Sequence, residues 1–189
     1  MTKAFLFSAL ENYENRFPDE KEVSIRIKNF LLSSESAFHN FYWQDGHITA
    51  SILILNQKKT KVLLIFHKKL QKWLQFGGHS DDSPDVLGTA IREFHEESGV
   101  KQEPEIIRYI EDSHFPIFDI DIHIIPPDAK GRPLHKHYDI RFLGTISDAI
   151  PLERQIDEVD DIRWFDLENV EKEIEDVGTL RMIQKIKSL

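Results

Sequence analysis

Three glutamates, Glu93, Glu96 and Glu97, stand at i, i+3 and i+4 in a segment whose apolar residues repeat with a helical period. That spacing puts three carboxylates on one helix face. It also puts them in the last turns before Gly99, where the helix dipole disfavours negative charge by about 0.3–1 kcal/mol each at exposed positions. A hard divalent cation would offset the repulsion, because Mg²⁺ takes oxygen ligands from one or two carboxylates plus substrate phosphates. Arg92 is the nearby cation, and its guanidinium can hold a carboxylate through two parallel bonds. The competing reading is a solvated glutamate face, the usual state of a glutamate-rich helix.

The residues around these glutamates predict the helix that presents them. Ser83 is a good N-cap, Pro84 suits the first helical position, and Asp85 adds negative charge to the first turn. Leu87, Ala90, Ile91 and Phe94 predict a core-facing stripe. Gly99 suits the left-handed position that ends a helix.

The stretch from Gly78 to Val100 resembles the Nudix box, the signature of the Nudix hydrolase family. The family pattern runs Gly, five residues, Glu, seven residues, Arg-Glu, an apolar residue, any residue, Glu-Glu, any residue, Gly, an apolar residue. Gly78, Arg92, Glu93, Phe94, Glu96, Glu97, Gly99 and Val100 match it. Pro84 stands where the family has its first Glu, with Asp82 and Asp85 the carboxylates beside it. Upstream, Trp73-Leu74-Gln75-Phe76-Gly77-Gly78-His79 is similar to the family's approach to the box. Arg163 to Phe165, with a helix after it, is similar to its C-terminal end.

The resemblance implies an α+β fold, an α/β/α sandwich with a mixed sheet between helices. It implies Mg²⁺- or Mn²⁺-dependent hydrolysis of a nucleoside diphosphate linked to another group. Carried onto this chain, Glu93, Glu96 and Glu97 become metal ligands, and Glu93 also a base. Arg92 orients a glutamate, and a carbonyl of Gly77 or Gly78 completes the shell. Family members often recruit a further acid from outside the box, and Glu158 and Glu153 are candidates by position. Pro84 keeps a second reading open, a catalytically weak nucleotide-binding or regulatory module on the same fold. An isomerase of a diphosphate lipid precursor on a similar scaffold would need a cysteine, and the chain has none.

Two further sets of polar residues alternate. Asp119, Asp121 and His123 share one face of a predicted strand, and His137, Asp139 and Arg141 share one face of the next. If the strands pair as a hairpin, the two sets meet on one face. That face is either a substrate-pocket wall, with His123, His137 and Arg141 contacting substrate, or the ordinary solvent face of a half-buried sheet. His79, between the glycine pair and the helix, is a further substrate-contact candidate. His39, His47 and His114 show no partner pattern and read as structural or exposed. Trp43 and Tyr42 read as packing residues. The basic residues Lys68, Lys69 and Lys72, and the loop from Lys130 to His137, either face an anionic substrate or, as is more common, are solvated.

The remaining elements must position these groups. Residues 1–45 predict a helical N-terminal extension, with Pro18 separating two helices, and residues 46–189 the main domain. Asp45-Gly46 is a turn signal. Ile48–Leu55, Lys61–Phe66, Ile106–Tyr109, Phe115–Ile125, Tyr138–Ile146 and Ile162–Phe165 predict strands. Asp166 caps a predicted final helix over Leu167–Lys187.

The chain has 189 residues, enough for one ordinary domain. The absence of cysteine excludes disulfides and thiolate metal sites, and fits a cytoplasmic location. No run approaches the roughly 18 apolar residues of a spanning helix, so no membrane partner is expected. The net charge of −9 argues against a nucleic-acid polymer as partner. It is concentrated: residues 79–97 carry six acids and one arginine, and residues 151–177 carry eleven acids and three bases. For the phosphorylated small molecule, a nucleotide, that the resemblance implies, the first concentration argues for a divalent cation. The N-terminal helices offer a surface for a homodimer.

Overall fold

Thr2 opens the first helix. In the computed structural model, which describes residues 2–108, 116–128 and 131–188, its Oγ1 accepts from the Phe5 N–H at 3.2 Å and caps α1 (Lys3–Arg16). Pro18 starts a 3₁₀ turn (Pro18–Glu20), and α2 (Lys21–Ser33) follows directly. Leu6, Leu10 and Tyr13 of α1 and Ile27, Phe30 and Leu31 of α2 are buried. The helical extension predicted to residue 45 ends at Ser33, and residues 34–46 are turns and irregular chain. That stretch is rich in Ser, Asn and Asp, which bond to their own backbone and favour turns over helix.

The strands are β1 (His47–Asn56), β2 (Lys61–His67), β3 (Lys72–Leu74), β4 (Phe76–His79), β5 (Glu105–Ile106), β6 (Asp119–Ile125), β7 (His135–Ile146) and β8 (Val159–Asp166). The remaining helices are α3 (Val86–Ser98) and α4 (Val177–Ser188), with a 3₁₀ turn at Val170–Lys172. No helix among the described residues is long and apolar enough to cross a membrane.

The chain divides into two compact units. The first unit comprises Met1–Ala50, Gly78–Thr89 and Arg108–Arg141. Here β6 and β7 form an antiparallel hairpin in the register Asp119↔Arg141, Asp121↔Asp139 and His123↔His137. Phe30 of α2 stacks on Tyr138 of β7, with ring centroids 4.0 Å apart. Gly46 has φ +98°, and a Cβ there would lie 2.0 Å from the Lys136 carbonyl oxygen, so the turn into β1 admits only glycine.

The second unit comprises Ser51–Gly77, Ala90–Ile107 and Phe142–Leu189. Here β2 pairs antiparallel with β1, β3 and β8, and β5 pairs antiparallel with the end of β7. Asn56 Oδ1 accepts the N–H groups of Thr60 and Lys61 at 2.8 and 3.0 Å, which closes the β1–β2 turn. Every residue of β1 is buried; the apolar, β-branched run Ile48–Leu55 predicts this, and the polar His47 and Asn56 are buried with it.

Several elements differ from the sequence expectation. The α3 cap is Asp85, whose Oδ1 accepts the Gly88 N–H at 3.1 Å, and Ser83 instead supports the preceding turn through the Asp85 N–H. The buried face of α3 is Val86, Ala90 and Phe94, with Leu87 and Ile91 half-buried at its margins. The final helix starts at Val177, capped by Asp176 (Thr179 N–H to Oδ2, 2.8 Å), not at Leu167. Strands β3 and β4 were not predicted. The expected strand ends at Tyr109 and Phe115, and His114 and Lys130, lie outside the described residues.

Candidate active site

The end of α3 brings the glutamates together. Glu97 is only 4% exposed, and its Oε2 accepts the Gly77 N–H at 3.1 Å. Burial pushes its carboxyl well above the ordinary range. The Gly77 N–H opposes that shift, and the charges of Glu93, Glu158 and Glu96 add to it. Arg92 bridges the other two glutamates, with Nη2 at 2.9 Å from Glu93 and Nη1 at 3.0 Å from Glu96. The Glu93 side chain is largely buried, and that of Glu96 is exposed.

Gly99 ends α3 at φ +67°, where an added Cβ would meet the Glu153 carbonyl oxygen at 2.3 Å. The following chain is held by the helix's last carbonyls: the Glu153 N–H donates to Ser98 O at 2.9 Å and the Gln155 N–H to Glu97 O at 3.2 Å. These bonds satisfy acceptors that a helix C-terminus leaves open. They also fix the segment carrying Glu158, whose N–H donates to the Gln155 side chain at 3.2 Å and whose carbonyl accepts from the Lys68 N–H at 2.9 Å. Glu158 is exposed and acts on Glu97 through its charge. Spacing within the box revealed the three glutamates. It could not reveal this backbone tie between the two acidic stretches.

The oxygen-only donor set fits a hard divalent cation. A buried carboxylate among three others is also the arrangement a cation stabilises most, since burial disfavours the charged form.

In the first unit the two polar strand faces meet, and they are not a solvent face. Arg141 is 3% exposed, Asp119 0% and Asp139 4%. The Arg141 guanidinium donates to Asp139 (Nε, 2.8 Å), Asp119 (Nη1, 3.2 Å) and Asp121 (Nη2, 3.0 Å). Burial disfavours its charge, and the three carboxylates outweigh that and raise its pKa. Thr49 Oγ1 donates to the second oxygen of Asp139 at 3.0 Å. His123 Nδ1 lies 2.9 Å from Asp121.

Beside this network lie the imidazoles of His47, His79, His135 and His137. Ring centroids are 5.1 Å apart for His47 and His79, 4.7 Å for His47 and His137, and 5.3 Å for His79 and His137. The sequence singled out His79 and His137 but read His47 as structural or exposed. It is fully buried, and burial together with the neighbouring His79 lowers its pKa to about 4. Burial lowers that of His137 as well. Trp43 packs on His135 with centroids 4.7 Å apart. No linear signal joins positions 47, 79 and 137, which come from three separate strands.

Elsewhere, Lys68 donates to the Ile156 carbonyl at 3.1 Å, and Arg132 pairs with Asp128 at 3.4 Å.

A model of the Nudix domain matches residues 45–185, so this chain belongs to the Nudix hydrolase family. A protein of Lactococcus lactis subsp. cremoris, named probable DHNTP pyrophosphohydrolase, is 29% identical over 151 residues, covering 79% of this chain and 81% of that one. A Nudix-family hydrolase structure from Clostridium perfringens superposes with a TM-score of 0.57 at 23% identity, covering 75% of this chain and 97% of the other. The E. coli dihydroneopterin triphosphate pyrophosphohydrolase structure does so with a TM-score of 0.58 at 14% identity, covering 75% and 96%. The fold is the α+β Nudix fold, preceded by N-terminal helices.

Proposed function

We propose that the chain hydrolyses a phosphoanhydride of a small phosphorylated substrate, a nucleoside diphosphate linked to another group, and that this requires Mg²⁺ or Mn²⁺. Glu93, Glu96 and Glu97 would hold the cation, with Glu158 and a carbonyl of Gly77 completing the shell. One observation carries this reading: Glu97 is buried to 4% exposure with Glu93, Glu96 and Glu158 close enough to raise its pKa.

A bound divalent ion supplies charge neutralisation at the diphosphate and a lower pKa for attacking water. The Gly77 N–H fixes the Glu97 carboxylate, and Arg92 holds Glu93 and Glu96 side by side. Glu93 takes the proton of the attacking water as its oxygen bonds to phosphorus. The anhydride P–O bond breaks, and the leaving phosphate carries away the electron pair. On the hairpin face the His123 side chain is 40% exposed, and it is our candidate there for substrate contact. Arg141 supports that face from beneath, by holding Asp121.

The test is chromatographic detection of the phosphomonoester and pyrophosphate products with Mg²⁺ over a panel of nucleoside diphosphate derivatives, with DHNTP included because a relative is named for it. Turnover lost on adding EDTA, and reduced at least about 100-fold in Glu93→Gln, supports the proposal. Turnover unaffected by EDTA overturns it. Binding without turnover in the wild type favours the regulatory module that Pro84 suggests.

A further inference from the structure

We infer that His47, His79 and His137 form a second metal site, a three-imidazole site for a divalent transition ion such as Zn²⁺. One ring nitrogen from each lies within 4.8 Å of the others. Tetrahedral ligands at 2.0–2.1 Å from zinc stand about 3.3 Å apart, a gap that small ring rotations close.

The ring hydrogen bonds point the same way. His47 Nδ1 faces the Tyr42 carbonyl at 3.4 Å, so its proton belongs on Nδ1 and Nε2 carries the lone pair. That Nε2 is buried with no hydrogen-bond partner, and so is Nε2 of His137. Leaving a buried polar atom unsatisfied costs about 1–3 kcal/mol, and here two such atoms sit in one cluster. A cation between them satisfies both. A carbonyl on the far ring nitrogen is the usual support of a metal-ligating histidine, because it sets the tautomer and aims the other nitrogen. His135 is held in the same way, with Nδ1 2.8 Å from the Pro133 carbonyl, and packs beside the trio with ring centroids 5.2 Å from both His47 and His137.

The donor chemistry selects the ion. Neutral imidazoles suit Zn²⁺, Cu²⁺ and Ni²⁺, whereas Mg²⁺, Ca²⁺ and Mn²⁺ prefer oxygen. The cluster therefore differs in kind from the glutamate set. It would not serve as a phosphate clamp, which calls for cationic rather than neutral rings. Three protein ligands leave a fourth position for water. The ion would tie the first residue of β1 and the last of β4 to β7.

The experiment uses the full chain without a histidine tag, stripped by chelator and returned to millimolar Mg²⁺ to occupy the glutamates. Co²⁺ is titrated in and the visible bands of a four-coordinate ion are read. Zn²⁺ is then titrated against a chromophoric chelator. One equivalent of Co²⁺ giving those bands, displaced by Zn²⁺ with a rise in melting temperature, is the expected result. His137→Gln abolishes the bands. His79→Gln, at a half-buried position, does the same with an unchanged circular dichroism spectrum, and answers the question if the His137 variant fails to fold. Glu97→Gln keeps the bands. Absence of the bands in the wild type, bands unchanged in folded His79→Gln, or bands lost in Glu97→Gln would each overturn the proposal.

Discussion

Glu97 and Arg141 show how differently two buried charges are used. The carboxylate of Glu97 stands among like charges, with the Gly77 N–H as its hydrogen-bond donor. Glu97→Gln keeps the shape and removes the charge. We expect its turnover with Mg²⁺ to fall at least about 100-fold. Without metal, its urea midpoint should be no lower than that of the wild type. Arg141 is surrounded by three carboxylates, and removing it would leave them buried without their cation. Arg141→Met should cost about 3–5 kcal/mol in urea unfolding. Arg141→Lys should not restore it, because an ammonium cannot reach three partners with the fixed geometry of a guanidinium. The glutamates were legible in the sequence because helical spacing alone puts them together. Asp119, Asp121, Asp139 and Arg141 were legible as one face but not as a buried one. Alternating polar residues look alike in solvent or in an ion network until strand register pairs the charges.

At the scale of elements, caps and pairings decide the boundaries. Asp85 closes the first turn of α3, so Asp85→Ala should lower stability by about 1 kcal/mol, and Ser83→Ala by less. Thermal unfolding of the two variants checks this. Between α1 and α2, Glu14 lies 2.5 Å from Lys28 and 2.9 Å from Ser24. Burial pushes its carboxyl up, but the bonds from Lys28 and Ser24 outweigh it and hold the pKa below its ordinary value. A depressed carboxyl pKa stabilises the native state fully above the unfolded value, about 4.3, and the benefit is lost as pH falls through the lower folded value. Glu14→Gln should therefore destabilise by about 0.5–1 kcal/mol at pH 7, with the difference closing below about pH 4 in urea titrations. Helices α1, α2 and α3 were legible from their apolar period, although the cap of α3 is Asp85 and not Ser83, and strand β1 from its run of apolar, β-branched residues. Strands β3 and β4 span three and four residues, too few to show a period. The final helix was misplaced because Asp166 and Asp176 are equally good caps in sequence. Strand β8, paired with β2 along its length, holds Asp166 at its end.

Across the whole molecule, the charge of −9 is unevenly spread, with concentrations of acids over residues 79–97 and 151–177. Glu93, Glu96 and Glu97 share the end of α3 with the stretch that carries Glu153 and Glu158, which backbone bonds to Ser98 and Glu97 hold against it. Mg²⁺ should therefore raise the melting temperature of the wild type, since a ligand of the native state alone stabilises it by mass action. The rise should be absent in a Glu93→Gln, Glu97→Gln double variant, and a scan with and without EDTA measures it. By itself the sequence determined the glutamate helix, the glycines that bracket it, the family and most of the secondary structure, because each rests on residue type and near-neighbour spacing. Only the tertiary structure decided that Glu97 is buried, that Arg141 holds three aspartates, and that His47, His79 and His137 share one cluster. Those depend on strand register and on segments distant in the chain, where pairing partners cannot be read from local order.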